Sequence, residues 1–279
     1  MFGSTIAGVT TVPSTSRDLT LLGPAKRPVP VRVLDSGAGP PIVFLHGLVG
    51  LNEHWEDVVA GVQSRLRCTM LEVPLLELEG DDCCIQGVTE LTSRFLAEHI
   101  IPHYGPPIVA GNSFGGHVAL RLAIEHPSMI RALVLAGSSG LIEKSMVSDI
   151  QIRPSREWLR RKIGELFYDQ NNMREADLDR AFNALAARGG ARAMVRLSRS
   201  ARKNHLGSQL STIRCPSLLV WGKQDIVTPP EAAEGFLKLL PNSSIVWFDQ
   251  CGHVPMVECS EQFSASLLAF ADSLPARSV

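Results

Sequence analysis

A serine, a carboxylate and a histidine each follow a short apolar run in this chain, a placement that nucleophilic catalysis can use. Gly111-Asn112-Ser113-Phe114-Gly115 comes directly after Ile108-Val109-Ala110 and ahead of a helical stretch. A strand-to-helix turn this tight would strain the serine and hold its hydroxyl outward, with Gly111 and Gly115 letting strand and helix approach. A serine hydroxyl is almost wholly protonated at neutral pH, so it needs a base to take its proton as it attacks. Of the eight histidines, His253 stands in a loop behind Gly252 after the last apolar run, whereas His99, His103, His117 and His126 belong to helices or helix ends near the serine turn. The base in turn needs a carboxylate to fix its tautomer and stabilise its cation. Asp225, reached from 218–221 through Gly222-Lys223-Gln224, offers one at the end of a different strand. Asp249 also ends a strand, but it lies so near His253 in sequence that shaping the histidine's own loop suits it better.

Acyl transfer also requires donors aimed at the oxygen on which negative charge develops. The backbone amide of Phe114 opens a helix just after the nucleophile, where amide direction and helix dipole both favour an anion. The amide of Leu48 lies in the loop that His46-Gly47 begins after a buried strand. We expect these two to form the oxyanion hole, with His46 bracing that loop. Phe114, Trp55, Phe167, Phe182 and Trp158 are the aromatic candidates for the pocket wall.

Positioning these groups takes a sheet. Apolar, β-branched runs predict strands over 29–34, 41–45, 68–73, 108–110, 131–136, 217–221 and 244–248. Helical spacing predicts helices over 55–65, 88–103, 117–125 and 258–271, and the alternation of the two is that of crossover units building a parallel sheet. Between 140 and 210 the strand signal disappears. Apolar residues there recur at helical spacing, and Arg156, Arg160, Arg161, Lys162, Arg192, Arg196, Arg199, Arg202 and Lys203 outnumber the local acids. This predicts a helical insert with a basic face, which is either solvated surface or an entrance tolerant of anions.

Composition narrows the function classes. The 279 residues are 45% hydrophobic and 20% charged, with a formal net charge of −1. That leaves no whole-molecule field for a phosphate backbone or anionic lipid, so a small-molecule substrate fits better than nucleic acid or membrane. Six scattered cysteines do not make a disulfide scaffold, and none stands at zinc-ligand spacing, so no metal and no other cofactor is expected. No leader pattern opens the chain and no stretch of about 18 apolar residues occurs, which makes the cytoplasm the expected compartment.

With these residues in place, the chain resembles the α/β-hydrolase superfamily from about residue 29 onward, in its serine-nucleophile branch. His46-Gly47, the serine turn, Trp221-Gly222-Lys223-Gln224-Asp225 and Gly252-His253 occur in that superfamily's order. The resemblance implies an α/β fold with a mostly parallel eight-stranded sheet flanked by helices and a helical cap. Residues 18–139 and 211–279 would form the core, 140–210 the lid, and 1–17 a flexible tail. Asn112-Ser113-Phe114 and Cys251-Gly252-His253-Val254-Pro255-Met256 look similar to small esterases and to meta-cleavage-product carbon–carbon hydrolases. Two departures separate the chain from the latter: Val254 stands where they carry tryptophan, and Leu48-Val49-Gly50-Leu51 replaces their glycine- and proline-rich loop. After 68–73, Pro74-Leu75-Leu76-Glu77 stands in place of the common Asp-x-Pro-Gly turn. A serine nucleophile disfavours haloalkane dehalogenase and epoxide hydrolase chemistry, which use aspartate in this fold. Hydrolysis of a carboxylic ester is therefore expected first, carbon–carbon hydrolysis second, and a receptor-like ligand-binding role third. A homodimer stays open as a quaternary state.

Overall fold

Pro41–Leu45, Ile108–Asn112, Ala132–Ala136 and Ser217–Gly222 are buried at every residue, the condition of parallel strands covered by helices on both faces. The computed structural model, which describes residues 14–49, 52–143 and 155–276, sets them at the centre of one eight-stranded sheet. Its strands are β1 Thr15–Leu22, β2 Pro28–Ser36, β3 Pro41–Leu45, β4 Arg67–Glu72, β5 Ile108–Asn112, β6 Ala132–Ala136, β7 Ser217–Gly222 and β8 Ser243–Phe248. They lie in the order β1-β2-β4-β3-β5-β6-β7-β8. Pairing is antiparallel at β1–β2 and β2–β4 and parallel from β4 through β8. This is the α/β-hydrolase fold.

The helices are α1 Glu56–Val62, α2 Ile85–Phe95, α3 Ile101–Tyr104, α4 Phe114–Glu125, α5 Arg156–Gly164, α6 Glu175–Ala186, α7 Gly190–Lys203, α8 Pro230–Leu239, α9 Pro255–Glu258 and α10 Ser260–Ser273. Successive strand residues point to opposite faces, so each central strand feeds two cores. Val43, Leu45, Val109, Leu133, Leu135, Leu219 and Trp221 pack with α2, α4 and α8. Ile42, Phe44, Ile108, Ala110, Val134, Leu218 and Val220 pack with α1 and α10 on the other face. Helices α5, α6 and α7 lie between β6 and β7 in sequence; α5 and α6 share a smaller core of Leu159, Leu178, Ala181 and Leu185, while α7 buries Ala193, Leu197 and Ala201 in the first core.

Three elements were not anticipated, the short α9 among them. Strand β1 starts at Thr15, inside the stretch 1–17 expected to be a tail; residues 1–13 of that stretch lie outside the described residues. Only Leu21 of β1 is buried, so it shows no apolar alternation, yet the ladder to β2 runs without a break from Thr15↔Asp35 to Leu22↔Pro28. Helix α8 was missed between two strands; it buries Ala232, Ala233 and Phe236, the last with its ring 5.9 Å from that of Trp221.

Candidate active site

All the candidate groups stand at the carboxyl ends of the parallel strands, where an open α/β sheet forms its crevice. Ser113 follows β5 and caps α4 with φ 52° and ψ −116°, outside the regions an L-residue ordinarily occupies. The strain is over-determined by its surroundings. The Ser113 amide donates to the Ala136 carbonyl at 3.1 Å, and the Ser113 carbonyl accepts from the Ser139 and His117 amides at 3.1 Å each. A Cβ on Gly111 would sit 2.4 Å from the Gly115 carbonyl oxygen, and one on Gly115 would sit 2.5 Å from that of Leu45. Only glycine at both positions lets α4 start so close to β5 and β3.

Asp225 and His253 come together from the loops after β7 and β8. The His253 Nδ1 lies 2.9 Å from Asp225 Oδ2, and both side chains are almost fully buried. The other oxygen, Oδ1, accepts the Val227 amide at 2.8 Å and the Thr228 amide at 2.9 Å. Thr228 Oγ1 donates to Oδ2 at 2.8 Å and stands 3.2 Å from the same imidazole nitrogen. These donors orient the Asp225 carboxylate so that Oδ2 can accept from Nδ1–H of His253, the arrangement that leaves Nε2 facing away from the carboxylate. Asn112 ties this assembly to the serine turn, donating from Nδ2 to the Ala136 carbonyl at 2.9 Å and to the His253 carbonyl at 3.0 Å. Asp249 does not join it: its carboxylate pairs with exposed Lys223 at 3.3 Å and accepts from Gln224 at 3.1 Å.

Leu48 and Phe114 line one cavity together with Ser113 and His253. Phe114 is the first residue of α4, and first-turn amides have no acceptor within their own helix. His46 Nδ1 lies 2.8 Å from the Gly47 carbonyl, while Nε2 accepts the Val73 amide at 3.3 Å. Burial pushes the pKa of His46 down, so it is a neutral brace between the 46–48 loop and the end of β4. Gly47 passes close to the nucleophile, with room for a Cβ only 3.5 Å from that of Ser113.

The cavity has a volume of about 160 Å³. Its far wall is mainly apolar and comes from the lid, through Trp158, Leu159, Ile163, Leu166, Phe167 and Met194. Of the aromatic candidates, Phe114, Trp158 and Phe167 reach it. Trp55 instead packs between Phe44 and Phe263 in the core, and Phe182 lies against the lid's own core. Charged groups also border the cavity, namely Lys162, Arg202, Glu143 and the pair His54–Asp177, whose Nε2 and Oδ2 are 3.3 Å apart.

Part of the lid's positive charge is answered by acids in space. Arg156 and Arg160 are answered by Glu175, and Arg156 also by Asp179 across α5 and α6. Arg174 reaches Asp57, and Arg180 bridges Asp177 and Glu53. Several of these pairs fasten lid to core. The sequence had not pointed to Thr228, though Asp225-x-x-Thr228 is the spacing at which a side chain can cap its own turn. Asn112 belongs to the serine turn in sequence, but nothing there signals its bond to the His253 carbonyl, or that His54 and Asp177 border the site, because these contacts join distant segments.

Residues 42–266 match the Alpha/beta hydrolase family. The pimeloyl-[acyl-carrier protein] methyl ester esterase of Nitrosomonas europaea is 27% identical over 256 residues, 84% of this chain and 96% of that one. A 2-hydroxy-6-oxononadienedioate/2-hydroxy-6-oxononatrienedioate hydrolase of Paraburkholderia phymatum is 26% identical over 259 residues, 85% of this chain and 88% of that one. Among solved structures, an alpha/beta hydrolase enzyme from the metagenome of sediments from the lagoon of Mar Chica, Morocco, superimposes with a TM-score of 0.68 at 27% identity, covering 87% of this chain and 94% of that one. No helix among the described residues is long and apolar enough to cross a membrane.

Proposed function

The chain belongs to the α/β-hydrolase family, and from that premise we propose that it is a serine hydrolase that cleaves a carboxylic ester of a small molecule. The observation that carries the proposal is the buried contact of 2.9 Å between His253 and Asp225, with His253 lining the same cavity as the strained Ser113.

Ser113 Oγ attacks the ester carbonyl while His253 Nε2 takes its proton, and Asp225 steadies the imidazolium through Nδ1–H. The carbonyl oxygen becomes an oxyanion that accepts hydrogen bonds from the Leu48 and Phe114 amides. Collapse of the tetrahedral intermediate breaks the bond to the leaving alcohol, which departs with the proton from His253. A water then gives its proton to His253 and attacks the acyl-enzyme, freeing the acid and restoring Ser113.

The cavity volume is close to the roughly 150 Å³ of a void that holds benzene, so an acyl group of about six carbons or fewer fits against Trp158, Ile163 and Phe167. The similarity to the Nitrosomonas esterase supports ester cleavage at the level of bond type. Carbon–carbon hydrolysis is the second possibility, favoured by the similarity to the Paraburkholderia enzyme and by positive charge at the cavity from Arg202 and from Lys162, which pairs with Glu165 at 3.1 Å. A ligand-binding role with little turnover is the third.

Steady-state and single-turnover hydrolysis of p-nitrophenyl acetate, butyrate, hexanoate and decanoate, in native protein and Ser113→Ala, tests the proposal. We expect a burst on the short esters that Ser113→Ala abolishes, with rates falling beyond hexanoate. Absence of Ser113-dependent turnover on every ester would refute ester hydrolysis.

A further inference from the structure

Glu258 lies five residues beyond His253, at the end of the short helix α9, and takes no part in the mechanism above. Its carboxylate accepts three backbone amides from two segments far apart in sequence. Oε1 takes the Tyr168 amide at 2.8 Å and the Asp169 amide at 3.0 Å, both in the lid just after α5. Oε2 takes the Gly252 amide at 2.7 Å, in the loop that carries His253. The two segments are also in direct contact, since the His253 amide donates to the Leu166 carbonyl at 2.8 Å. They approach so closely that a Cβ on Gly252 would lie 2.7 Å from the Leu166 carbonyl oxygen and 2.9 Å from the Tyr168 nitrogen. Leu166 and Phe167, held in this way, form part of the cavity wall alongside His253 and Val254.

Bonds from amides to an ionised carboxylate are stronger than neutral ones. A single side chain that makes three of them across a lid-to-core seam therefore fixes the relative position of both sides. Other lid-to-core ties, such as Arg174–Asp57 and Arg180–Glu53, join side chain to side chain. Glu258 binds backbone to backbone, next to the imidazole.

We infer that Glu258 is a positioning residue that straps the lid segment 166–169 to the His253 loop, so that one carboxylate sets both the cavity wall and the orientation of the base. In calling His253 the base, the inference rests on the ester-hydrolase proposal above. The strap itself is a statement about the fold.

The two carboxylate oxygens allow the two functions to be separated. In Glu258→Gln the remaining oxygen keeps the two lid amides, because the opposite orientation would turn an NH₂ toward two donors instead of one. The NH₂ then faces the Gly252 N–H, and that arm is lost. We expect kcat to fall about tenfold with KM within about twofold of native, the size of effect that slight misplacement of a catalytic group produces. In Glu258→Ala both arms are lost, and kcat should fall about a hundredfold with KM raised several-fold as the wall loosens.

The decisive second readout is exchange of the His253 amide hydrogen, followed by NMR. Its own acceptor, the Leu166 carbonyl, is untouched by either substitution, so it reports the seam rather than the deleted bond. Exchange should accelerate in both variants. If kcat and KM stay within twofold of native in Glu258→Ala and the His253 amide exchanges at the native rate, Glu258 is not a strap. Should Glu258→Ala fail to fold, the near-isosteric Glu258→Gln decides by the same two readouts. If the native chain hydrolyses no ester, the exchange measurement still decides the strap, and the two failures are told apart.

Discussion

His117, one turn beyond the candidate nucleophile in α4, lets the link between burial and acid stability be worked through. Its side chain is fully buried. Nε2 stands 3.4 Å from Asn204 Oδ1 at the end of α7, while Nδ1 has no hydrogen-bond partner among the described residues. Burial pushes its pKa down from the ordinary 6.5 to about 4, and the nearby Arg121 and His205 push the same way against the bond to Asn204. The unfolded chain therefore binds a proton that the folded chain refuses over the window between these two values. Stability is complete above the unfolded pKa, falls as the pH drops through it, and stops falling below about pH 4. Integrated from pH 7 to pH 5, this one group removes about 2 kcal/mol. Urea unfolding at the two pH values, in native protein and His117→Gln, isolates the effect, because all other titrating groups, buried His46 included, are common to both. We expect the native chain to lose about 2 kcal/mol more than the variant over this interval, whatever the variant costs at pH 7. Equal losses would mean that the folded state accommodates the proton on His117, and the burial argument would fail.

The strain at Ser113 should be recoverable as stability. Glycine adopts φ 52° without a Cβ clash, so Ser113→Gly should gain about 1 kcal/mol in urea unfolding while losing ester turnover; a loss of stability would show that the turn is unstrained. Removing the hydroxyl that donates to Asp225 Oδ2, in Thr228→Val, deletes a hydrogen bond to a charged group worth about 1.5–3 kcal/mol. Part of that loss falls on the Asp225–His253 pair, so we expect about a tenfold drop in kcat on p-nitrophenyl butyrate, and a rate within twofold of native would contradict it. Asp225→Asn should lower kcat by about 10⁴, as mis-set tautomers do, and Asp249→Asn should leave it within twofold. The reverse pattern would exchange the roles assigned to the two carboxylates.

Much of the site could be read along the chain because its chemistry is tied to local geometry. Ser113 announces itself by the glycines needed where β5 turns into α4, and Asp225 and His253 by their position just past apolar runs. Those runs fixed seven of the eight strands, since a strand buried on both faces must be apolar throughout. Strand β1 escaped because an edge strand exposed along most of its length is specified by backbone pairing, to which side chains contribute little pattern. Helix α8 escaped because it buries only a narrow stripe of small residues and Phe236. The charge of the lid was legible as composition, but its pairing was not, since acids of α6 and Glu53 and Asp57 of the core answer Arg156, Arg160, Arg174 and Arg180 in space.

Read alone, the sequence therefore carried most of the order of elements and the groups proposed for catalysis, and left ester and carbon–carbon cleavage both open. The first two follow from periodicity, turn geometry and intrinsic acidity, which are properties of neighbouring residues. Tertiary structure alone decided that Thr228 and Asn112 lock the Asp225–His253 pair to the serine turn, that Trp55 is core and Trp158 is wall, and that Glu258 joins lid to loop. Thr228 meets Asp225 within its own turn, but its place beside His253, like the contacts of Asn112, Trp55, Trp158 and Glu258, joins residues distant in the chain. Such contacts depend on the packing of the whole sheet and lid, for which no local stretch of sequence carries a signal.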